Sequence, residues 1–193
     1  MSYKICEKHL NKLLHYNDHT LREWIGYSYT DFLDETIEWI KSKGFDGIEG
    51  LSDSKIAALR TELSISFKKG ESIRQIAARI RSHNIPDLDI EISPEYDADG
   101  KLIRRGYSRM IPGNLRAELM ARTETIKASA EGSLKNYKNN MNIERVQWSA
   151  AVSDRTCIDC MDMNGRVFSL GEAHGLIPKH CLCRCCFLPI TSD

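Results

Sequence analysis

Residues 157–186 have the sequence CIDCMDMNGRVFSLGEAHGLIPKHCLCRCC, which contains six of the chain's seven cysteines. The stretch begins with a CxxC pair, Cys157 and Cys160, and ends with one histidine and four cysteines. A CxxC turn directs two sulfurs and nearby backbone amides towards one cation, and a second pair from a distant segment completes a tetrahedron. The 19 residues between Cys160 and His180 match the spacing of structural zinc sites. The sequence therefore predicts that a metal ion clamps this part of the chain.

More residues are available for the second pair of ligands than a tetrahedral site needs. The candidates are His180, Cys181, Cys183, Cys185 and Cys186. The favoured ligand set is Cys157, Cys160, His180 and Cys183, with Cys185 as the alternative fourth ligand. On an extended strand Cys181, Cys183 and Cys185 would share one face. Four protein ligands leave no position for water, so a Zn²⁺ ion held here would be structural and not catalytic. The competing interpretation is a set of buried free thiols or an opportunistic disulfide.

The N-terminal sequence MSYKICEKHLNKLLHYNDH alternates charged and apolar residues and has no uninterrupted apolar core. It therefore lacks the pattern of a signal peptide. No stretch approaches the roughly 20 apolar residues that a membrane helix requires. We expect a soluble protein made in the cytosol, with no membrane association. In that reducing compartment cysteines are metal ligands or reactive thiols before they are disulfides.

The composition of the 193 residues is that of a folded protein without excess charge. Hydrophobic residues make up 41%, and 27 basic residues balance 27 acidic ones. A neutral chain lacks the strongly basic balance of a dedicated nucleic-acid binder. It also lacks the charge repulsion that keeps proteins apart, which favours association into a larger assembly.

Residues 1–84 are predicted to form a helical N-terminal region, because apolar residues recur there at helical spacing. The predicted helices run from Ile5 to about Leu14, from Thr20 to Gly44, from Ser52 to Gly70 and from Ser72 to about Ser82. Thr20 with Glu23 has the pattern of a capping box, and Ser52 is a candidate N-cap. This region also has a dense group of aromatic residues, which would form either a docking surface or a helical core. They are Trp24, Tyr27, Tyr29, Phe32 and Trp39.

Residues 85–112 are predicted to form a β-hairpin or a mobile arm around the turn sequence Asp97–Gly100. Residues 113–193 then begin with a long helix from near Asn114, with one apolar stripe facing a core. The stripe consists of Leu115, Leu119, Thr123, Ile126, Ala130, Leu134 and Tyr137, and the opposite face carries Arg116, Glu131 and Lys135. A half-buried strand from Arg145 to Val152 follows, with candidate partner strands at Arg166–Leu170 and Phe187–Ile190. The predicted fold class is α+β: a helical region, then a long helix packed on a small antiparallel sheet with a zinc-stapled C-terminal segment.

An ordered series of motifs over roughly residues 55–190 resembles the phage Mu protein F-like family. In chain order these are Ala121-Arg122-Thr123-Glu124 in a helix, Tyr137 near its end, Trp148 on a strand, Asp154-Arg155-Thr156-Cys157-x-x-Cys160, Asn164-Gly165-Arg166-Val167-Phe168, and Pro178-x-His180-x-x-Cys183-Arg184-Cys185. Two positions depart from the family pattern. Cys181 stands where a proline usually follows the histidine, and Cys186 is an additional thiol.

The resemblance implies a structural minor head, or head-morphogenesis, protein of a tailed phage or prophage. Such a protein would associate with portal or capsid subunits, in the host cytoplasm during assembly and then in the virion, inside the head or at the portal. An alternative is a DNA-binding or toxin-associated module with a structural zinc ribbon. A deaminase would need an HxE motif with a downstream PCxxC, and the chain has neither. We therefore expect no enzymatic activity and no small-molecule substrate.

Two further sets of polar residues have a plausible structural explanation. Arg122 is expected to be buried and to pair with Glu124 or Asp154, which would fix the long helix to the metal-binding region. Asp154 is also expected to cap the turn before Cys157, and His174 to lie in a loop. A basic cluster is interpreted as a solvated helix face with weak, salt-sensitive DNA contact at most. It comprises Lys68, Lys69, Arg74, Arg79, Arg81, Arg104 and Arg105.

Overall fold

The computed structural model of the chain describes residues 29–140 and 143–190. The predicted helix from Ile5 to Leu14, and the predicted helix start at Thr20, lie outside these residues. Within them, helices and small antiparallel sheets follow one another as expected for an α+β fold. No helix in the described ranges is long and apolar enough to span a bilayer.

Three helices form the first part of the described chain: α1 (Tyr29–Lys43), α2 (Asp53–Lys68) and α3 (Ile73–Ser82). Ser52 caps α2 by accepting a hydrogen bond from the amide of Lys55. Ser72 caps α3 in a reciprocal capping box with Gln75. The boundaries at Ser52 and Ser72 thus agree with the sequence prediction, because a cap is a local interaction. Phe32 and Trp39 are buried in this helical part, which supports a helical core as their role.

A ribbon of four short strands comes next: β1 (Leu88–Ile92), β2 (Glu95–Tyr96), β3 (Leu102–Arg104) and β4 (Tyr107–Ile111). β1 pairs with β4, and β2 pairs with β3, both antiparallel. The predicted hairpin around Asp97–Gly100 is present, since β2 and β3 pair on either side of this turn. The pairing continues away from the turn into β1 and β4, and β4 is a strand that the sequence does not predict.

The long helix α4 (Gly113–Asn140) joins two separate hydrophobic cores. Ala117, Met120 and Ala121 pack in the helical core with α1 and α3. On the opposite side of α4, Leu134 and Tyr137 pack in the core of the C-terminal sheet. The long helix and its packing on a sheet are therefore confirmed.

The predicted polarity of the faces of α4 is partly wrong. Leu115 is 40% exposed, whereas Arg116 and Glu131 are only 5% and 7% exposed. The predicted stripe is the face that meets the sheet, and the sheet covers only the C-terminal half of the helix. The guanidinium of Arg116 donates hydrogen bonds to the carbonyls of Glu49 and Pro86. These bonds replace those to water and so offset the cost of burying its charge.

The C-terminal sheet consists of β5 (Arg145–Ser149), β6 (Val167–Ser169) and β7 (Cys186–Ile190), in the order β6-β5-β7 and antiparallel throughout. Two short helices, α5 (Ile158–Met163) and α6 (Leu170–Ala173), lie between the strands in sequence. Trp148 is fully buried and meets Phe187 edge-to-face, with ring centroids 5.7 Å apart. The predicted strand ends early, since Val152 lies beyond β5 and is 65% exposed.

Candidate metal centre

The first cysteine pair is held at the start of α5. Cys157 is the N-cap residue of this helix, and its Sγ accepts a hydrogen bond from the amide of Cys160 at 3.4 Å. Sulfur therefore takes the place that a serine or aspartate oxygen usually has at a helix N-terminus. The amide directed at sulfur is the contact that the CxxC pattern predicts.

The turn before Cys157 is not capped as expected. The hydroxyl of Thr156 accepts a hydrogen bond from the amide of Ser153, and the Ser153 hydroxyl accepts one from the amide of Arg155. Asp154 is exposed in this turn. Two neighbouring hydroxyls therefore perform the capping that we had assigned to Asp154.

The second pair comes from a loop and not from an extended strand. Leu182 has a φ of +66°, and β7 begins only at Cys186. This bend leaves Cys181 exposed and turns Cys183 and Cys185 inwards, where both are buried. The expectation that three alternate cysteines share a strand face is wrong, because the backbone is not extended between them.

Five candidate ligand atoms form two neighbouring groups of three that share Cys160. Cys157, Cys160 and His180 form the first group, and Cys160, Cys183 and Cys185 form the second. The ligand atoms of each group lie within 4.8 Å of one another, and Cys160 belongs to both. Three residues of the favoured set, Cys157, Cys160 and His180, thus form one group, and Cys183 and the alternative Cys185 adjoin it through Cys160.

The distances from Cys160 to its neighbours are in the range found around a tetrahedral ion. The Sγ atoms of Cys160 and Cys183 are 3.9 Å apart, and two thiolates on one Zn²⁺ would be about 3.8 Å apart, given Zn–S bonds of about 2.3 Å. His180 Nε2 lies 3.1 Å from Cys157 Sγ and 3.2 Å from Cys160 Sγ. A small cavity of about 20 Å³ adjoins these side chains, which is room for one water-sized sphere.

The orientation of His180 also suits metal binding. Its Nδ1 lies 2.6 Å from the backbone oxygen of Cys181, and a carbonyl can only accept, so Nδ1 carries a proton. The same hydrogen bond is the main reason that the pKa of His180 is raised. In the neutral ring Nε2 therefore presents its lone pair to the sulfurs, as metal-ligating histidines do when the other nitrogen is fixed by a carbonyl.

The cysteines differ strongly in acidity. The amide of Cys160 lowers the pKa of Cys157, whereas burial raises the pKa of Cys160 to about 12. The contact between Cys183 and Cys185 lowers the pKa of Cys183 to about 5 and raises that of Cys185. Thiols packed this closely cannot all ionise unless a cation compensates their charge. The donor set thus fits a thiophilic divalent metal.

The centre is joined to α4 by residues other than the predicted ones. Arg122 is exposed and donates to Glu118 one helical turn away, at 3.0 Å, so the predicted bridge from Arg122 is wrong. Glu124 is buried and accepts from the amide of Phe45 at 2.8 Å, in the helical part. Neither predicted pair forms, because Arg122 contacts Glu118 on its own helix and Glu124 faces the helical part.

Glu131 makes the connection that was assigned to Arg122. Its carboxylate lies 2.8 Å from His174 Nδ1 and accepts a hydrogen bond from the amide of Gly175, also at 2.8 Å. Tyr137 adds a hydrogen bond from its hydroxyl to the carbonyl of Phe187 at 3.2 Å. Sequence periodicity placed Glu131 on the polar face, and no local signal indicates its distant partner.

The family model for "Phage Mu protein F like protein" matches residues 57–188, more than half of the chain. The chain belongs to this family. The match runs from α2 to β7 and includes every candidate ligand of the centre. No curated protein and no solved structure matches the chain significantly.

Membership of the Phage Mu protein F-like family indicates a protein of phage head morphogenesis. The family is a structural one. The matched region contains the cluster of sulfur and imidazole groups that could hold a metal, in which Cys160, Cys183 and Cys185 are buried and His180 is exposed.

Proposed function

We propose that this protein is a structural minor head protein of a tailed phage or prophage, and that it associates with the portal or with capsid subunits. The observation that carries the proposal is the family match, which includes the long helix, the sheet and the cysteine cluster. The protein would be made in the host cytoplasm and act during head assembly, then remain in the head interior or near the portal. No catalytic role is assigned to it.

Two arginines of the basic cluster are already paired with carboxylates, which weakens the DNA-binding alternative. The guanidinium of Arg79 donates hydrogen bonds to the carboxylates of Glu62 and Glu71. Arg104 Nη2 lies 3.5 Å from Glu95 Oε2. Arginines already engaged by carboxylates contribute little to phosphate binding, because each contact would first have to be broken.

The role in head assembly can be tested by deleting the gene from the phage that carries it. We expect fewer DNA-filled heads by electron microscopy, with recovery when the intact gene is supplied in trans. Mass spectrometry of purified virions should detect the chain, and it should co-purify with the portal or the capsid protein when they are co-expressed. Normal yields of filled heads, together with absence of the chain from virions, would contradict the proposal.

Within this function we propose a structural Zn²⁺ held by Cys157, Cys160, His180 and Cys183, with Cys185 as the alternative fourth ligand. The support is the clustering of thiols and one imidazole around Cys160, and the orientation of that imidazole. Binding would add directly to the stability of the sheet, because the ligands come from segments that are far apart in sequence.

Elemental analysis of protein purified without chelator tests the metal centre. We expect about one zinc per chain, lost in Cys157→Ser and retained in the matched control Cys181→Ser, whose side chain is exposed and belongs to neither group. Comparison of Cys183→Ser with Cys185→Ser identifies the fourth ligand. Metal-free wild-type protein, or equal loss from the control, would overturn the assignment.

A further inference from the structure

The ribbon formed by β1–β4 has an unusual separation of charge between its two halves. Residues 88–99 contain five acidic residues and no lysine or arginine. Residues 100–111 contain four basic residues and no aspartate or glutamate. The acidic residues are Asp89, Glu91, Glu95, Asp97 and Asp99, and the basic residues are Lys101, Arg104, Arg105 and Arg109. Since β1 pairs with β4 and β2 pairs with β3, the acidic residues follow the β1–β2 edge of the ribbon and the basic residues follow the β3–β4 edge, where β4 itself carries only Arg109.

Both edges of the ribbon are open within the described part of the chain. The sheet of β1 and β4 has only these two strands there, so each strand has one row of backbone groups without a strand partner. A two-stranded ribbon is only marginally stable in water unless further strands or a packing surface support it. Open edges of this kind are templates for pairing with another strand.

The ribbon also exposes apolar surface. Ile92 is paired with Tyr107, and Leu88 with Ile111, with Ile90 and Arg109 paired between them, so these side chains lie on one face of the ribbon. Tyr107 is 48% exposed, and Ile103 near the tip is 62% exposed. An added strand would extend this apolar face and cover part of it.

We propose that the ribbon is a self-association surface, in which the acidic β1 edge of one copy pairs with the basic β4 edge of a second copy. Arg104 pairs with Glu95 inside one ribbon, so Asp89 and Glu91 on one edge, and Arg105 and Arg109 on the other, are the charges that would meet a second copy. Charge complementarity favours a second copy as the partner, because each chain carries both kinds of edge. Two β1 edges would repel each other, and so would two β4 edges. The contact therefore joins two different surfaces of the chain. Repeated contacts of this kind form a closed ring if the rotation between neighbouring copies returns to the first copy, and an open array if it does not.

This proposal does not depend on the metal centre or on the role in the phage head. The base of the ribbon is fixed to the domain, because Asp87 accepts a hydrogen bond from the amide of Gly113 at 2.7 Å. Copies joined through their ribbons would consequently keep a defined orientation.

Sedimentation velocity of the full chain tests the proposal, over about 1–100 µM protein and about 0.05–0.5 M NaCl. We expect wild-type protein to self-associate, more strongly at low salt. An acid-edge variant, Asp89→Lys with Glu91→Lys and Glu95→Lys, makes both edges basic. A basic-edge variant, Arg104→Glu with Arg105→Glu and Arg109→Glu, makes both edges acidic. Each variant alone should associate at least about tenfold more weakly.

Mixing the two variants should restore association, because an all-basic ribbon then meets an all-acidic one. That recovery cannot result from misfolding, and circular dichroism of each variant provides a second check. The matched control carries three reversals outside the ribbon, Lys68→Glu, Arg74→Glu and Arg81→Glu, and should associate like wild type. A monomeric wild type at low salt would overturn the proposal in favour of a different protein as partner. Variants that still associate alone, or fail to associate when mixed, would overturn it as well.

Discussion

Glu71 shows how one residue neutralises part of the basic cluster that the sequence displays. It accepts hydrogen bonds from Arg79 at 2.6 Å through both of its carboxylate oxygens, and one from the Ser66 hydroxyl at 2.9 Å. Chiefly through Arg79, these bonds lower the pKa of Glu71 from 4.5 to about 2. The pair ties α3 to the end of α2 and uses a side chain that could otherwise contact phosphate.

The Glu71 pair predicts a specific pH dependence of stability. Because the pKa is lower in the folded state, its contribution is fully present above pH 4.5 and is lost as the pH falls from 4.5 towards 2. Glu71→Gln should lower the free energy of unfolding at about pH 7, and the difference from wild type should shrink below pH 4.5. Urea titrations at several pH values measure this. Glu118→Gln removes an exposed pair with Arg122 and should have little effect; a Glu71→Gln effect that does not change with pH would contradict the assignment.

At the scale of elements, α1 and α4 cross with their backbones unusually close. A Cβ added at Gly132 would lie 2.0 Å from Thr36 Oγ1 and 2.9 Å from Thr36 Cα. Thr36 is itself fully buried and donates its hydroxyl to the carbonyl of Phe32 at 2.7 Å. Gly132 is therefore required for the helix crossing, although glycine disfavours a helix interior.

Gly132→Ala should reduce the free energy of unfolding by about 1–3 kcal/mol, despite the gain of about 1 kcal/mol in helix propensity. The reason is that the methyl group displaces the backbone of α1 and not merely a flexible side chain. Chemical denaturation measures the change. Gly171→Ala is the control, since no atom lies within 4 Å of its added Cβ, and its effect should be small. Equal or greater stability of Gly132→Ala would contradict the close crossing.

At the scale of the whole molecule, α4 contributes to two cores that have no buried residue in common within the described part of the chain. Residues 117–128 pack in the core of the N-terminal helices, and residues 130–137 pack in the core of the sheet that carries the metal centre, although Gly132 also meets Thr36 of α1. Only the second core would gain stability from the metal. The predicted division into residues 1–84, 85–112 and 113–193 stays a prediction, and α4 is the element through which these parts would communicate.

Removal of the metal with a chelator should therefore affect the two cores unequally. Amide hydrogen exchange followed by mass spectrometry should show lost protection in β5, β6, β7 and the C-terminal half of α4. Protection in α2 and α3 should persist, because their core contains no ligand residue. Re-addition of zinc should restore the pattern. A uniform loss over both cores, or no loss at all, would contradict this view of the molecule.

Local interactions explain what could be predicted from the sequence alone. The caps at Ser52 and Ser72, the start of α4, the three strands of the C-terminal sheet and the amide-to-sulfur contact of the CxxC pair all depend on residues close together in the chain. For these features the residue types and their spacing are sufficient. The same applies to the family resemblance, which rests on ordered motifs.

Tertiary packing decided which polar side chains are buried and which cysteines come together. Arg116 and Glu131 are buried, and Arg122 is exposed, because a helix face is covered only where another element reaches it. The bend at Leu182 brings Cys183 and Cys185 to the first pair and leaves Cys181 outside, although the three alternate in sequence. Periodicity shows which side chains share a direction on one element; what they meet depends on segments tens of residues away.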